Sequence, residues 1–517
     1  MSENYRQKPG NQVFHPRRIA RNRLRRVLGV PALFSIGYGD VGSSIYYGLG
    51  LVALVALGAT PIALGIAGLI YVCNALTYAE GSAMLTEGGG SSSYARLGFN
   101  DLVGFISGWA LMLSYIATMA ISAYTIPPYL AYFWPVLKQP GASTLFSMGI
   151  IVFLMAINIF GVKESSRLNI IFIIGDIITQ VVLVLLGVFL ILLPNPQSLI
   201  QHMFGAGNWP SAKGLIFGIA LAALCFTGVE SVSQQGEETR RPEKSMPRAY
   251  LLMIIVVLVL FSGISLVALS AMSPQVLGDP INGWARDPVA GIANAISMVI
   301  DPQSIIARFH VVGDAAALIN LASEAVQTVL PVLVAVLAAS ILLIATNAGL
   351  LGISRLTYNL SSHNQLPAVL NRVHPRFRTP YISITIFCSI TLLMLIPGFF
   401  SDVFFSDLGA LYVFGSLLCF GLAHASILAL RIKKPELPRP FKLGLNIKFG
   451  KSELPFTTIF GLMATLAIFV VILVIQATSR WTGIAWMGLG LIVYFLYRRY
   501  FLRSQKANKA GRGSFTK

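Results

Sequence analysis

Charged side chains are scarce in this sequence. Asp, Glu, Lys and Arg make up 11% of its 517 residues, where a soluble domain carries roughly 25%. That scarcity excludes a soluble enzyme and a disordered chain. Cysteine is scarcer still. Cys73, Cys225, Cys388 and Cys419 lie apart in apolar segments with no CxxC pair, so neither a disulfide framework nor a zinc site is expected. No GxxxxGK[ST] loop occurs, which argues against ATP hydrolysis within the chain. The opening stretch is basic and polar, without a short apolar core and a small-residue cleavage site, so no cleavable signal is expected. Neither a cofactor nor a bound metal beyond a transported cation is expected.

What the sequence has in quantity is apolar length, with 55% hydrophobic residues. A spanning helix needs about 20 mostly apolar residues. Twelve such runs are read, near 31–56, 60–84, 102–133, 144–162, 168–193, 213–235, 249–272, 325–352, 381–398, 405–430, 455–476 and 482–502. They define an all-α polytopic membrane protein, with 31–502 as the transport domain between basic tails at 1–30 and 503–517. The long connection 273–324 is expected to carry short helices on the outer surface. With the N-terminus inside, 33 of the 38 Lys and Arg fall in inner segments and 5 in outer loops. That bias places both termini in the cytoplasm. The net charge of +18 therefore reports topology and attraction to anionic membrane lipids, and no nucleic-acid partner is expected.

Two spans are interrupted in matching ways. The first contains Gly39, Asp40, Gly42, Ser43 and Ser44; the sixth contains Thr227, Gly228 and Glu230. They are five spans apart, as in a five-plus-five inverted repeat, and paired glycine-interrupted spans point to a transporter's central site. Unwinding there frees backbone groups to face a ligand, and such backbone persists at membrane depth only when it lines a cavity or is buried in protein. Asp40, Glu80, Asp176 and Glu230 are the intramembrane acids of interest, each costing at least ~2.5–3.5 kcal/mol at the bilayer centre. Asp40 and Glu230 are candidate ligands for something positive, or else ties between the two interrupted spans. Glu80, near the inner end of the second span, reads as structural or gating. In the third span Tyr115, Thr118 and Ser122 share one helical face, as an ion-coordinating stripe or as interhelical hydrogen bonds. Ile36–Asp40 imitates a potassium-channel filter, but it lacks a preceding pore helix and begins beside the basic tail, so a channel is not expected.

Three loops carry a family resemblance. Gly88–Arg96 after the second span, Glu237–Ala249 after the sixth and Ser354–Tyr358 with His374–Pro380 after the eighth resemble those of the amino acid–polyamine–organocation superfamily. The resemblance implies a LeuT-like fold, with discontinuous helices 1 and 6 and alternating access in the plasma membrane, and no enzymatic activity. Within the first span, Asp40-Val41-Gly42-Ser43-Ser44 and Tyr47-Gly48 resemble the Kup and KimA potassium importers, as do Thr227-Gly228-Val229-Glu230 and Leu411-Tyr412. Carried over, that likeness implies potassium bound by Asp40, Tyr47, Tyr115, Thr118, Ser122, Thr227, Glu230 and Tyr412. Two carboxylates facing one cavity attract a cation and raise one another's proton affinity, so Glu230 is also a candidate proton site. Counted from Glu164-Ser165, Asp176 falls where several proton-coupled amino acid carriers have lysine, which makes it a second candidate. The expectation is a proton-coupled potassium importer. The alternatives are an amino acid or amine permease of the same fold, in which Asp40 or Glu230 pairs with an ammonium group, and a non-transporting nutrient sensor. Sodium, through Ser340 and Thr346, is an alternative coupling ion.

Overall fold

The structure, a computed structural model, describes residues 26–513 apart from 162–165, 301, 303–313, 402 and 451. The tail before Arg26, Glu164 and Ser165, and residues 514–517 lie outside the described residues. Ten helical stretches among the described residues are long and apolar enough to cross a bilayer. The first, Val30–Met84, has 55 residues. As one rod it would be ~80 Å long, far beyond the ~30 Å hydrocarbon core. It turns at Leu57, where φ is 46°, and supplies two passes: α1 (Val30–Val41) continuing into α2 (Ile45–Ala56), then α3 (Thr60–Met84).

After the short α4 (Ser91–Gly98) come α5 (Asp101–Leu130), α6 (Pro140–Phe160), α7 (Ser166–Gly187) and the short α8 (Pro196–Phe204). The sixth pass is split into α9 (Ala212–Ala222) and α10 (Glu230–Ser233), and α11 (Pro242–Ala271) follows. Short α12 (Pro274–Gly278) and α13 (Pro288–Val299) precede α14 (Asp314–Ser362), α15 (Tyr381–Leu395) and α16 (Phe404–Lys433). A hairpin of β1 (Asn446–Phe449) and β2 (Ser452–Pro455) leads to α17 (Phe456–Ile475) and α18 (Ala477–Gly513). With α18 as the last pass, the helices fall on the twelve expected ranges.

Local chemistry sets the boundaries. Proline stands in the first turn of α1, α3, α6 and α11, where its missing N–H costs nothing. The Asn100 side chain accepts the Val103 N–H at the start of α5, and Gly161 ends α6 at φ 70°, a left-handed cap that glycine adopts without strain. Small residues let helices close up, as expected inside a membrane. Ser114 of α5 and Ser416 of α16 share a hydrogen bond of 2.7 Å, and a Cβ on Gly352 of α14 would lie 2.7 Å from the Tyr115 ring.

One expectation changes. α14 has 49 residues, well beyond the apolar run at 325–352, because its polar ends can continue the helical hydrogen bonding outside the hydrocarbon layer. The described part of the connection after α11 does carry short helices, with one face of α13 packed inward and Val276, Ile281 and Met298 exposed. Val289, Ile292, Ala293 and Ile296 of α13 are buried, and a Cβ on Gly50 of α2 would collide with the Ala285 backbone.

Candidate functional site

The sixth pass breaks as expected. α9 tightens into a 3-10 turn at Ala223–Phe226, Thr227 is extended, and Gly228 stands at φ 102°, a conformation natural only to glycine. The freed groups are taken up nearby. Thr227 Oγ1 donates to the Leu224 carbonyl at 2.7 Å and Ser231 Oγ to the Gly228 carbonyl at 2.7 Å. The Gly228 N–H donates to Glu230 Oε2 at 3.1 Å. Glu230 therefore covers the N–H that a substrate carboxylate would otherwise meet.

The first pass does not unwind. Gly39 and Gly42 keep helical geometry, and the only irregularity is the 3-10 turn Gly42–Ser44. Ser43 Oγ and Ser44 Oγ donate to the Asp40 carbonyl at 2.8 and 3.4 Å, and the Tyr38 ring lies against Gly42. Side-chain hydroxyls and packing thus hold a segment that glycine would allow to open. The expectation of exposed backbone at Gly39, Gly42, Ser43 and Ser44 is corrected: only Gly228 stands at a full break.

The candidate side chains meet at this point. A Cβ on Gly228 would lie 2.7 Å from Asp40 Cγ, so the helix 6 break rests directly on the acid of helix 1. Asp40, Ser44 and Tyr47 share one helical face, and Ser44 Oγ lies 2.9 Å from Tyr47 Oη. Tyr412 of α16 faces Thr118 of α5 and lies within electrostatic reach of Tyr47, Asp40 and Glu230. Tyr115 is similarly close to Glu230 and Asp40, and Ser122 faces Tyr47. All of these side chains, with Thr227, are buried, so the cluster is shut off from water on both sides. Buried polar atoms almost always have partners. Here Asp40 Oδ1, Tyr115 Oη, Ser122 Oγ and Tyr412 Oη have no well-formed protein hydrogen bond. One acceptor and three hydroxyl donors thus gather beside the break. Ser114 and Ser231, which reach Glu230 and Asp40, were not singled out from sequence; each lies next to a residue that was.

Asp176 stands apart, behind helix 1. It accepts from Tyr38 Oη at 3.0 Å, from Tyr46 Oη, and from Gln180 Nε2 at 2.8 Å. Its two tyrosine partners flank the Gly42–Ser44 turn. Glu80 is compensated elsewhere, pairing with Arg431 through contacts of 2.8 and 2.5 Å, facing Arg439 at 3.8 Å and accepting the Leu443 N–H at 3.1 Å. Ser340 and Thr346 donate to the carbonyls four residues earlier in α14, at 2.7 and 2.8 Å, as helix-packing hydroxyls do.

A multi-pass bundle with a broken sixth span abutting buried acids is a membrane transporter, of the LeuT-like class that the loops resemble. The family model described as amino acid permease matches residues 28–497, and the chain belongs to that family. It is 27% identical over 504 residues to the branched-chain amino acid permease BcaP of Bacillus subtilis (strain 168), covering 92% of this chain and 94% of that one. To the methylthioribose transporter of the same organism it is 26% identical over 505 residues, again 92% and 94%. The Asc-type amino acid transporter 1 of Mus musculus is 25% identical over 380 residues, 72% of this chain and 63% of that one. These relatives are named as permeases and transporters, not enzymes. The resemblance to potassium importers gains no support from them, and the amino acid permease alternative fits better than the potassium expectation.

Proposed function

We propose that this protein carries a small amino acid or amine across the plasma membrane, driven by protons, with both termini cytoplasmic. The observation that carries the reading is the set of unpartnered polar atoms at the helix 6 break. Asp40 Oδ1 is an acceptor suited to a substrate ammonium. The hydroxyls of Tyr115, Ser122 and Tyr412 are donors suited to a carboxylate. Glu230 holds the Gly228 N–H, which leaves the hydroxyls, rather than free backbone, to meet a substrate carboxylate. Tyr47, Thr118 and Thr227 complete the wall. The proton is assigned to Asp176. Ionised, it accepts from Tyr38 and Tyr46 on either side of the 3-10 turn; protonated, it loses acceptor capacity, which loosens helix 1 where Asp40 is mounted.

The test is uptake by purified protein in liposomes carrying an inward proton gradient. Labelled neutral and cationic amino acids should accumulate and compete with one another, while rubidium, a potassium surrogate, should not enter. Rubidium uptake without amino acid uptake would restore the potassium reading, and binding without flux would make the protein a sensor. Asp176→Asn should retain substrate exchange between the two sides and lose proton-driven accumulation. Unchanged accumulation in that variant moves the coupling site elsewhere.

A further inference from the structure

A cavity lies outside the central site. It encloses about 500 Å³ between α5, α15, α16 and α18, within the range of small-molecule pockets. Its walls are apolar, formed by residues such as Leu393, Leu408, Trp486 and Leu489. Leu393 and Leu489 are also exposed on the outside of the bundle, so the cavity opens sideways onto the surface that faces acyl chains. It runs from the helix ends at Pro397, Phe404 and Ser479 toward Leu113, midway along α5. That direction is from the membrane interface to the bilayer interior.

The interfacial end is polar. Asp407, Thr478, Ser479 and Thr482 line it together. Thr478 reaches the Asp407 carboxylate, yet none of the ion pairs among the described residues includes Asp407. A carboxylate at the edge of the hydrocarbon layer calls for a cation or a strong donor. Arg480, the next residue after Ser479, does not answer it: its guanidinium bonds the Leu473 carbonyl at 3.1 Å and lies over the Trp481 ring. The Asp407 carboxylate thus stands without a cation at the mouth of an apolar slot.

We propose that this groove binds a membrane phospholipid with an amine-bearing zwitterionic head, its ammonium on Asp407 and one acyl chain in the slot. The occupant sits one helix thickness from the transport site. Leu113 and Leu411 line the groove, while their chain neighbours Ser114 and Tyr412 face the central cluster. Lipid bound here braces α5 and α16 against each other.

The test is native mass spectrometry of the full chain, equilibrated with equal amounts of phosphatidylethanolamine and phosphatidylglycerol and then stripped with increasing detergent. The wild type should retain phosphatidylethanolamine several-fold over phosphatidylglycerol. Asp407→Asn should abolish that preference, and Ala485→Trp, which fills the slot, should reduce retention of both lipids. Thermal melting reports whether each variant is folded, and Leu489→Trp replaces Ala485→Trp if that variant does not fold. Equal retention of the two lipids by the wild type, or full retention by a folded slot-filled variant, would overturn the proposal. The mass readout needs no transport activity, so it stands apart from the substrate assignment.

Discussion

At the scale of single residues, two positions at the break make sharp predictions. Gly228 stands at φ 102°, and a non-glycine residue there is strained by roughly 1–3 kcal/mol, before its Cβ meets Asp40 Cγ at 2.7 Å. Gly228→Ala should therefore abolish uptake while the protein still inserts and elutes as a monodisperse peak. Asp40→Asn keeps shape and removes charge. A charged hydrogen bond contributes about 1.5–3 kcal/mol, so substrate affinity should fall roughly ten- to hundredfold, measured by competition binding. An unchanged affinity would show that the ammonium rests elsewhere. The type of each residue was legible in sequence, since acids inside a span are rarely idle. Their disposition was not. Glycine only permits a break, and whether it occurs depends on nearby groups. At Gly42 the Tyr38 ring and two serine hydroxyls hold the helix closed, whereas at Gly228 the backbone turns away and Glu230 caps it.

At the scale of elements, the buried pair of Glu80 and Arg431 joins α3 to α16 and, through Leu443, to the connection that carries the β hairpin. Arg431 also donates to Asn446 Oδ1 and to the Glu453 carbonyl, both at 2.9 Å. Removing one member of a buried pair costs up to about 3–5 kcal/mol, here moderated by Arg439, whose Nε lies 3.8 Å from Glu80 Oε1. Arg431→Met should accordingly lower the thermal midpoint strongly, and the double variant Glu80→Met/Arg431→Met should recover part of the loss. A double variant no better than the single one would mean that the hairpin contacts, or the Arg439 charge left without Glu80, set the cost. The sequence placed Glu80 near the inner end of its span but not its partner, 351 residues away. Gln180, one helical turn from Asp176, was within reach of spacing alone; Tyr38 and Tyr46 were not, because only tertiary packing brings helix 1 against α7.

At the scale of the whole molecule, the described residues 273–300 after α11 pack one face of α13 inward and carry a titrating group. Asp287 is buried, which pushes its carboxyl up to about 7 from 3.8, against the opposing pull of Lys138 and Arg286. Tyr129, also near Asp287, donates to the Tyr46 carbonyl at 2.8 Å. Arg286 itself rests on the Tyr124 ring and bonds Ser143. Between pH 4 and 7 the docked segment keeps a proton that the unfolded chain has released. Docking is thus strongest in acid, weakens as pH rises through that window and levels off above it. Hydrogen exchange at residues 284–299 should be slower at pH 5 than at pH 8, after correction for intrinsic rates, and Asp287→Asn should remove the difference.

The sequence by itself determined the class of protein. Apolar length dictates the spans, because the bilayer accepts only chains that satisfy their own backbone. Loop motifs added the family. Tertiary structure decided which glycine breaks a helix, which acid is paired and which side chains keep unpartnered polar atoms at the centre. Those outcomes turn on contacts of a few ångströms between residues hundreds of positions apart, which no local pattern encodes.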